Sequence, residues 1–184
     1  ADFPATAGTL RPNFGGVVDG FLSRFRFTPA TSVRSTFLGT NRYDQAFFVE
    51  IDRNNQIFLL GQSVGGTFPV NNAPYSNPGS SQFVIKLNNQ LTSNLASTVI
   101  GNGSSQINIS PAAFLVDICG NIYISGWGGT LNGTLGYGAH ATQSLTTGMP
   151  ITSDAYQGAT DGNDFYLAVL GPNANALLYA TYFG

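Results

Sequence analysis

The chain has 184 residues, of which 42% are hydrophobic but only 9% are Asp, Glu, Lys or Arg, against roughly 25% charged residues in an ordinary soluble domain. Its surface must therefore be built from Asn, Ser, Thr, Gln and its 23 Gly, which argues against a helical bundle with Glu/Lys-rich faces and against a disordered polyelectrolyte. A net charge of −2 with seven basic residues leaves no footprint for a phosphate backbone, and apolar runs such as Ala112–Val116 are far too short to span a bilayer as helices.

Taken in chain order, short runs of alternating apolar and polar residues predict strands near 20–27, 33–38, 46–52, 57–61, 82–88, 95–100, 112–118, 121–126, 164–170 and 177–183. In the first, Phe21, Phe25 and Phe27 alternate with Leu22, Arg24 and Arg26. Phe83, Ile85 and Leu87 alternate with Val84 and Lys86 in the fifth. β-branched and aromatic residues fill these runs, and Gly, Pro, Asn and Ser fill the gaps. No stretch carries a sustained helical period, so no helix longer than a turn is expected.

The strands recur as a unit. Phe21–Phe25 followed by Ser35–Gly39 matches Phe83–Leu87 followed by Ser97–Gly101, and also Phe165–Val169 followed by Ala180–Gly184. Phe47–Asp52, a turn and Ile57–Gly61 match Ala112–Asp117, a turn and Ile122–Gly126. The loops leading into each unit repeat as well, at Phe3-Pro4, Phe68-Pro69 and Met149-Pro150. Asp117-Ile-Cys-Gly120-Asn121 and Asp52-Arg-Asn-Asn55-Gln56 read as tight hairpins, with Gly120 and Asn55 available for positive φ and each Asp accepting bonds from its own turn. The expected fold is all-β: four-stranded antiparallel β-propeller blades, a partial propeller in one domain, with units at about 1–66, 67–147 and an incomplete 148–184.

These residues resemble the SBBP family of β-propeller repeats, whose units read Asp-Ala-Phe-Val-Ala-Lys-Leu, Tyr-Ser-Thr-Tyr-Leu-Gly and Asp-x-x-Gly-Asn-x-Tyr-x-x-Gly. Asp164–Leu170, Leu178–Gly184 and Asp117–Gly126 carry the likeness, which spans nearly the whole chain apart from residues ~130–147. The wording Asp117–Trp127 is similar to large surface proteins exported by the type IX route in gliding bacteria. The first copy departs from the pattern, with Ser23-Arg24-Phe25 in place of Ala-Lys-Leu. The resemblance implies a secreted, extracellular or cell-surface location, and it brings no common catalytic residues. The absence of an initial Met is read as the mark of a mature or excised segment, with the remaining blades and modules of the parent chain as its first partners.

Chemistry-bearing residues are sparse. His140 is the single histidine and has no Ser or Asp at triad spacing, so it reads as a solvated loop residue rather than a base. Cys119 is alone, which precludes an internal disulfide and reads as a small buried hydrophobe. Asp161, Asn163 and Asp164 offer oxygen ligands in compact spacing: either a calcium site, the one cofactor candidate, or a plain turn before the strand at Phe165. Asn102-Gly-Ser104, Asn108-Ile-Ser110 and Asn132-Gly-Thr134 fit the N-glycosylation pattern, which arises often in so Asn-rich a chain.

One segment breaks the period. Six residues separate Gly61 from Phe68, but 22 separate Gly126 from Met149. The excess includes Trp127, Tyr137 and His140, the candidate binding residues, because loops that depart from a repeat often build its contact face. A passive excursion that packs Leu131 and Leu135 onto the blade is the competing reading. The expected function is a non-catalytic scaffold or adhesion module that meets a glycan or a surface protein, with neither nucleic-acid binding nor membrane insertion. A lectin-like propeller using Trp127 and Tyr137 stands second, and a propeller-type hydrolase or lyase third.

Overall fold

A computed structural model describes residues 3–65, 67–129 and 144–184. Among them, ten strands form three antiparallel sheets, so the chain is all-β, and no sheet closes on itself. Gly20–Phe27 (β1) and Ala30–Leu38 (β2) make a two-stranded sheet. Asp44–Ile51 (β3), Ile57–Ser63 (β4), Gln82–Leu87 (β5) and Asn94–Ile100 (β6) make a four-stranded meander. Ser110–Val116 (β7), Ile122–Trp127 (β8), Phe165–Leu170 (β9) and Leu177–Phe183 (β10) make a second. The only helical turn among the described residues is the 3-10 turn Pro172–Ala174. Each expected strand is present, with no end displaced by more than three residues.

The sheets lie out of phase with the sequence units. Each meander takes two strands from one unit and two from the next, because β4 pairs with β5 and β8 with β9 across the unit boundaries. The chain instead passes between sheets at residues 39–43 and 101–109, just after the repeated Leu-Gly and Ile-Gly. The register also corrects one landmark. Phe21 faces Phe37, Phe83 faces Val99 and Tyr166 faces Tyr182, so the third copy of the leading aromatic is Tyr166 and not Phe165. Phe165 instead matches Gln82, one residue earlier and on the opposite face.

The three sheets stack face to face. One face of β4–β6 contributes Phe58, Leu60, Val84 and Ile100 to a core shared with Phe114, Ile124, Tyr166 and Leu170 of the last sheet. The other face supplies Ile57, Leu59, Phe83, Ile85 and Leu87 to a second core that takes in Leu38 of β2 and the partly buried Leu22 of β1. The middle sheet is therefore apolar on both faces because it is covered on both, the condition under which strict polar alternation disappears.

The leading loops are the seams of this arrangement. The Phe68 ring stacks on Phe83 at 3.7 Å, Phe3 lies 4.3 Å from Phe21, and the Tyr166 hydroxyl donates to the Pro150 carbonyl at 2.6 Å. Three residues past each landmark, the Thr6, Asn71 and Thr152 amides donate to Ser35, Ser97 and Ala180 carbonyls. A buried threonine next to each of those, Thr36, Thr98 or Thr181, then bonds the loop further on: Thr98 Oγ1 donates to the Tyr75 carbonyl at 2.5 Å. Each outer strand, β2, β6 or β10, is thus covered by its own loop rather than left as an open edge.

Candidate functional site

Cross-strand neighbours share a face of a sheet, and their side chains line up in rows. In the last sheet one such row is Trp127, Phe165 and Phe183, on β8, β9 and β10. It lies on the face turned away from the middle sheet, since Tyr166, Ala168 and Tyr182 occupy the covered face. Phe165 and Phe183 are exposed, and the exposed Tyr156 ring extends the row at 6.0 Å from Phe183. Leu115, Tyr123 and Leu167 continue the same open apolar face.

The equivalent row in the middle sheet is Gln62, Gln82 and Ile100, all buried. There the chain crossing to β7 lies over the row: Gln82 Nε2 donates to the Ile109 carbonyl, and Gln82 Oε1 accepts from the Asn108 amide, both at 3.2 Å. A polar row thus receives a crossing backbone, while an aromatic row stands open. Trp127 is the one member singled out from sequence. Phe165, Phe183 and Tyr156 were missed because which residues stand beside Trp127 depends on pairing register. The signal was nonetheless present, since Phe21–Gly39, Phe83–Gly101 and Tyr166–Gly184 share one spacing that Phe165 does not.

The described roots of the long loop sit beside this row. The Gly129 amide donates to the Ser144 carbonyl at 2.7 Å, and Ser144 Oγ donates to the Trp127 carbonyl at 3.1 Å. Asn108 Nδ2 donates to the Leu145 carbonyl at 3.0 Å, tying the returning chain to the crossing. A methyl on Gly129 would lie 2.9 Å from Trp127 Cζ3, so only glycine lets the indole keep this place. Tyr137, His140, Leu131 and Leu135 lie outside the described residues.

The proposed cation ligands are engaged separately. Asp161 Oδ1 accepts from the Asn163 amide at 2.8 Å and from Asn163 Nδ2 at 3.2 Å, the geometry of an Asx turn. Asp164 Oδ2 instead accepts from Gln157 Nε2 at 3.0 Å. Among the described residues, no three His, Cys, Asp or Glu side chains gather in metal-holding geometry. Cys119, expected to be buried, is exposed, because it rides the tip of the β7–β8 hairpin where its amide bonds Asp117.

The two hairpin aspartates act as the sequence suggests. Asp52 Oδ1 accepts from the Asn54 and Gln56 amides, and Asp117 Oδ1 from the Cys119 and Asn121 amides, with all four distances 2.8–2.9 Å. Asn55 and Gly120 take the positive φ angles, +57° and +86°. Asp117 Oδ2 accepts further bonds from Asn121 Nδ2 and the Tyr123 hydroxyl. Desolvation works to raise the Asp117 carboxyl, but these donors together outweigh it and hold it below its ordinary value. Its bond to Asp117 in turn raises the Tyr123 phenol.

No protein-family model matches the chain, and no curated protein matches it either.

Proposed function

We propose that the chain is a non-catalytic scaffold or adhesion segment of a secreted surface protein, a run of SBBP-type propeller blades partnered by further blades of its parent. The observation that carries this reading is the stack itself. The middle sheet buries apolar residues on both faces against sheets of its own kind, and the outer face of the last sheet is apolar and open. A unit of that sort supports an array, in which each repeat depends on its neighbours for burial.

The test is a polar substitution on the open face, read in two contexts. Leu167→Glu in the chain alone should shift unfolding in urea by no more than about 0.5 kcal/mol, as at an ordinary surface site. In the parent protein, where a further blade covers the residue, the same change should cost about 2 kcal/mol or more through a buried unpaired charge. Equal, small effects in both contexts overturn the propeller reading.

The aromatic row favours a second reading, a carbohydrate-binding face. Trp127, Phe165 and Phe183 stand side by side in one cross-strand row on the open face, and aromatic rings offer their faces to the C–H face of a sugar ring. Here Trp127→Ala should abolish retention on a glycan array while the urea midpoint stays near that of the unmodified chain. No glycan retained by the unmodified chain discards this reading and leaves the face to a neighbouring blade.

A further inference from the structure

β1, β5 and β9 hold the same place in the repeat, but they are not equally paired. β5 has β4 on one side and β6 on the other, and β9 has β8 and β10. Among the described residues, β1 pairs with β2 alone. Its second edge is a template for another strand.

The surface beside that edge lacks a cover as well. In the last sheet, Phe114 and Val116 of β7 share a core with Phe48 and Phe58 of the β3–β4 hairpin. Val49 and Ile51 of β3 hold the matching positions, since Val49 faces Leu59 as Phe114 faces Ile124, and Ile51 faces Ile57 as Val116 faces Ile122. Phe114 is 7% exposed, whereas Val49 and Ile51 are 52% and 63% exposed. Where a covering hairpin would lie there is a groove of about 570 Å³, bounded by Phe25 and Phe27 of β1 and by Val49, Ile51 and Ile57.

We propose that the β1 edge and this groove dock a β-hairpin of the β3–β4 kind, an inference that rests on reading the chain as a run of blades. The pairings already made define what the hairpin carries. Gly61 stands opposite Phe83 and Gly126 opposite Tyr166, so the strand added to β1 has glycine opposite Phe21. The reason is steric, because a methyl on Gly61 would collide with the Phe83 ring. Large apolar residues at the places of Phe48 and Phe58 fill the groove over Val49 and Ile51. Main-chain bonds to β1 give affinity and the filled groove gives specificity, as in other strand additions. The hairpin comes from outside these 184 residues. Within them, the strands of this type are β4 and β8, and both are already paired, with β5 and β9, so a second copy has none to spare. Its source is a further repeat of the parent protein, and its docking makes the first sheet four-stranded like the other two.

The probe is a synthetic peptide of Asp44–Ser63, the β3–β4 hairpin itself, labelled with a fluorophore and titrated with the chain. Anisotropy should show saturable one-to-one binding, and hydrogen exchange should slow at β1 amides. Gly61→Val in the peptide should weaken binding about tenfold or more, by forcing a side chain against the Phe21 ring. Val49→Lys in the chain, an exposed site where the urea midpoint should hold, should weaken it about as much by placing a charge in the filled groove. If the free peptide self-associates, the same residues are joined by a Gly/Ser linker ahead of Ala1, since Phe3 lies beside Phe21, and β1 protection is read there with and without the valine. A hairpin that does not engage β1, or engages it equally well with both substitutions, overturns the proposal. Protection at β8–β10 instead of β1 does the same. So does exchange at β1 that slows with chain concentration before any peptide is added, which gives the edge to a second copy. The Leu167→Glu comparison reads the opposite side of the stack, so a hairpin that fails while that comparison holds strikes the edge site and not the array.

Discussion

β1 and β5 carry the same residue in the same register, yet they differ almost completely in environment. Phe83 is 0% exposed, stacked by Phe68 and enclosed by the first sheet, whereas Phe21 is 56% exposed, with Phe3 and its cross-strand partner Phe37 beside it but no sheet in front. The local sequence of each hairpin asks for the same burial, and only the sheet in front decides whether it is met. Strand formation is therefore a property of the unit, and core formation a property of the stack. The same contrast holds within the middle sheet, where Ile57 and Leu59 of β4 are buried but Val49 and Ile51 of β3 are exposed. A groove of about 570 Å³ opens where the two-stranded first sheet gives out, lined by Leu22, Phe25, Phe27, Val49, Ile51 and Ile57 among others.

The largest effect that sharpens this contrast is on Phe83. Phe83→Ala should lower stability by about 3–5 kcal/mol, the usual cost of emptying a packed aromatic site. Phe21→Ala should cost about 1 kcal/mol or less, since the ring is more than half exposed and loses only its contact with Phe3 and its cross-strand neighbour Phe37. Urea unfolding of the two variants measures the gap directly. Equal costs would mean that the face of β1 is covered in solution, by another copy or another module.

A smaller effect separates the seams from the cores. Thr98→Val keeps the shape and removes the hydroxyl that donates to the Tyr75 carbonyl, so about 1–2 kcal/mol should be lost. Thr181→Val removes the acceptor of the Gln157 amide and should cost a similar amount. Faster proteolysis within residues 69–80 of the Thr98 variant would show that the loop, not the sheet, has loosened. An unchanged cleavage rate with the full loss of stability would place the threonine in the sheet core instead.

The all-β class and every strand were legible from alternation and repeat, because both are local signals written into neighbouring residues. The hairpin roles of Asp52, Asn55, Asp117 and Gly120 were legible for the same reason. Sheet phase was not, since the pairing of β4 with β5 is made over an 18-residue connection that carries no periodic signal. The aromatic row was half legible: Trp127 stands out as the single tryptophan, but its neighbours depend on register across three strands.

The smallest expected effect lies in the second of the two aspartate hairpins, in the response of Asp117 to acid. Both aspartates accept two turn amides on Oδ1, but their outer oxygens differ. Asp52 Oδ2 lies 3.9 Å from Lys86 Nζ, whereas Asp117 Oδ2 accepts from Asn121 and Tyr123. Burial alone would raise the Asp117 carboxyl, but its donors prevail and depress it in the folded chain. A depressed carboxyl binds its proton less readily when folded than when unfolded. Its contribution is therefore complete above the unfolded-state value and fades as pH falls through the folded one. Asp117→Asn keeps an oxygen for the turn amides and removes only the charge. The stability difference between the two chains should be constant near neutrality and shrink below about pH 4, as the wild-type carboxyl takes up its proton. Urea midpoints of both chains, measured from about pH 7 down to about pH 3, follow that difference. A difference that grows on acidification would carry the opposite sign and require a carboxyl raised by folding, with burial rather than hydrogen bonding in control at this turn.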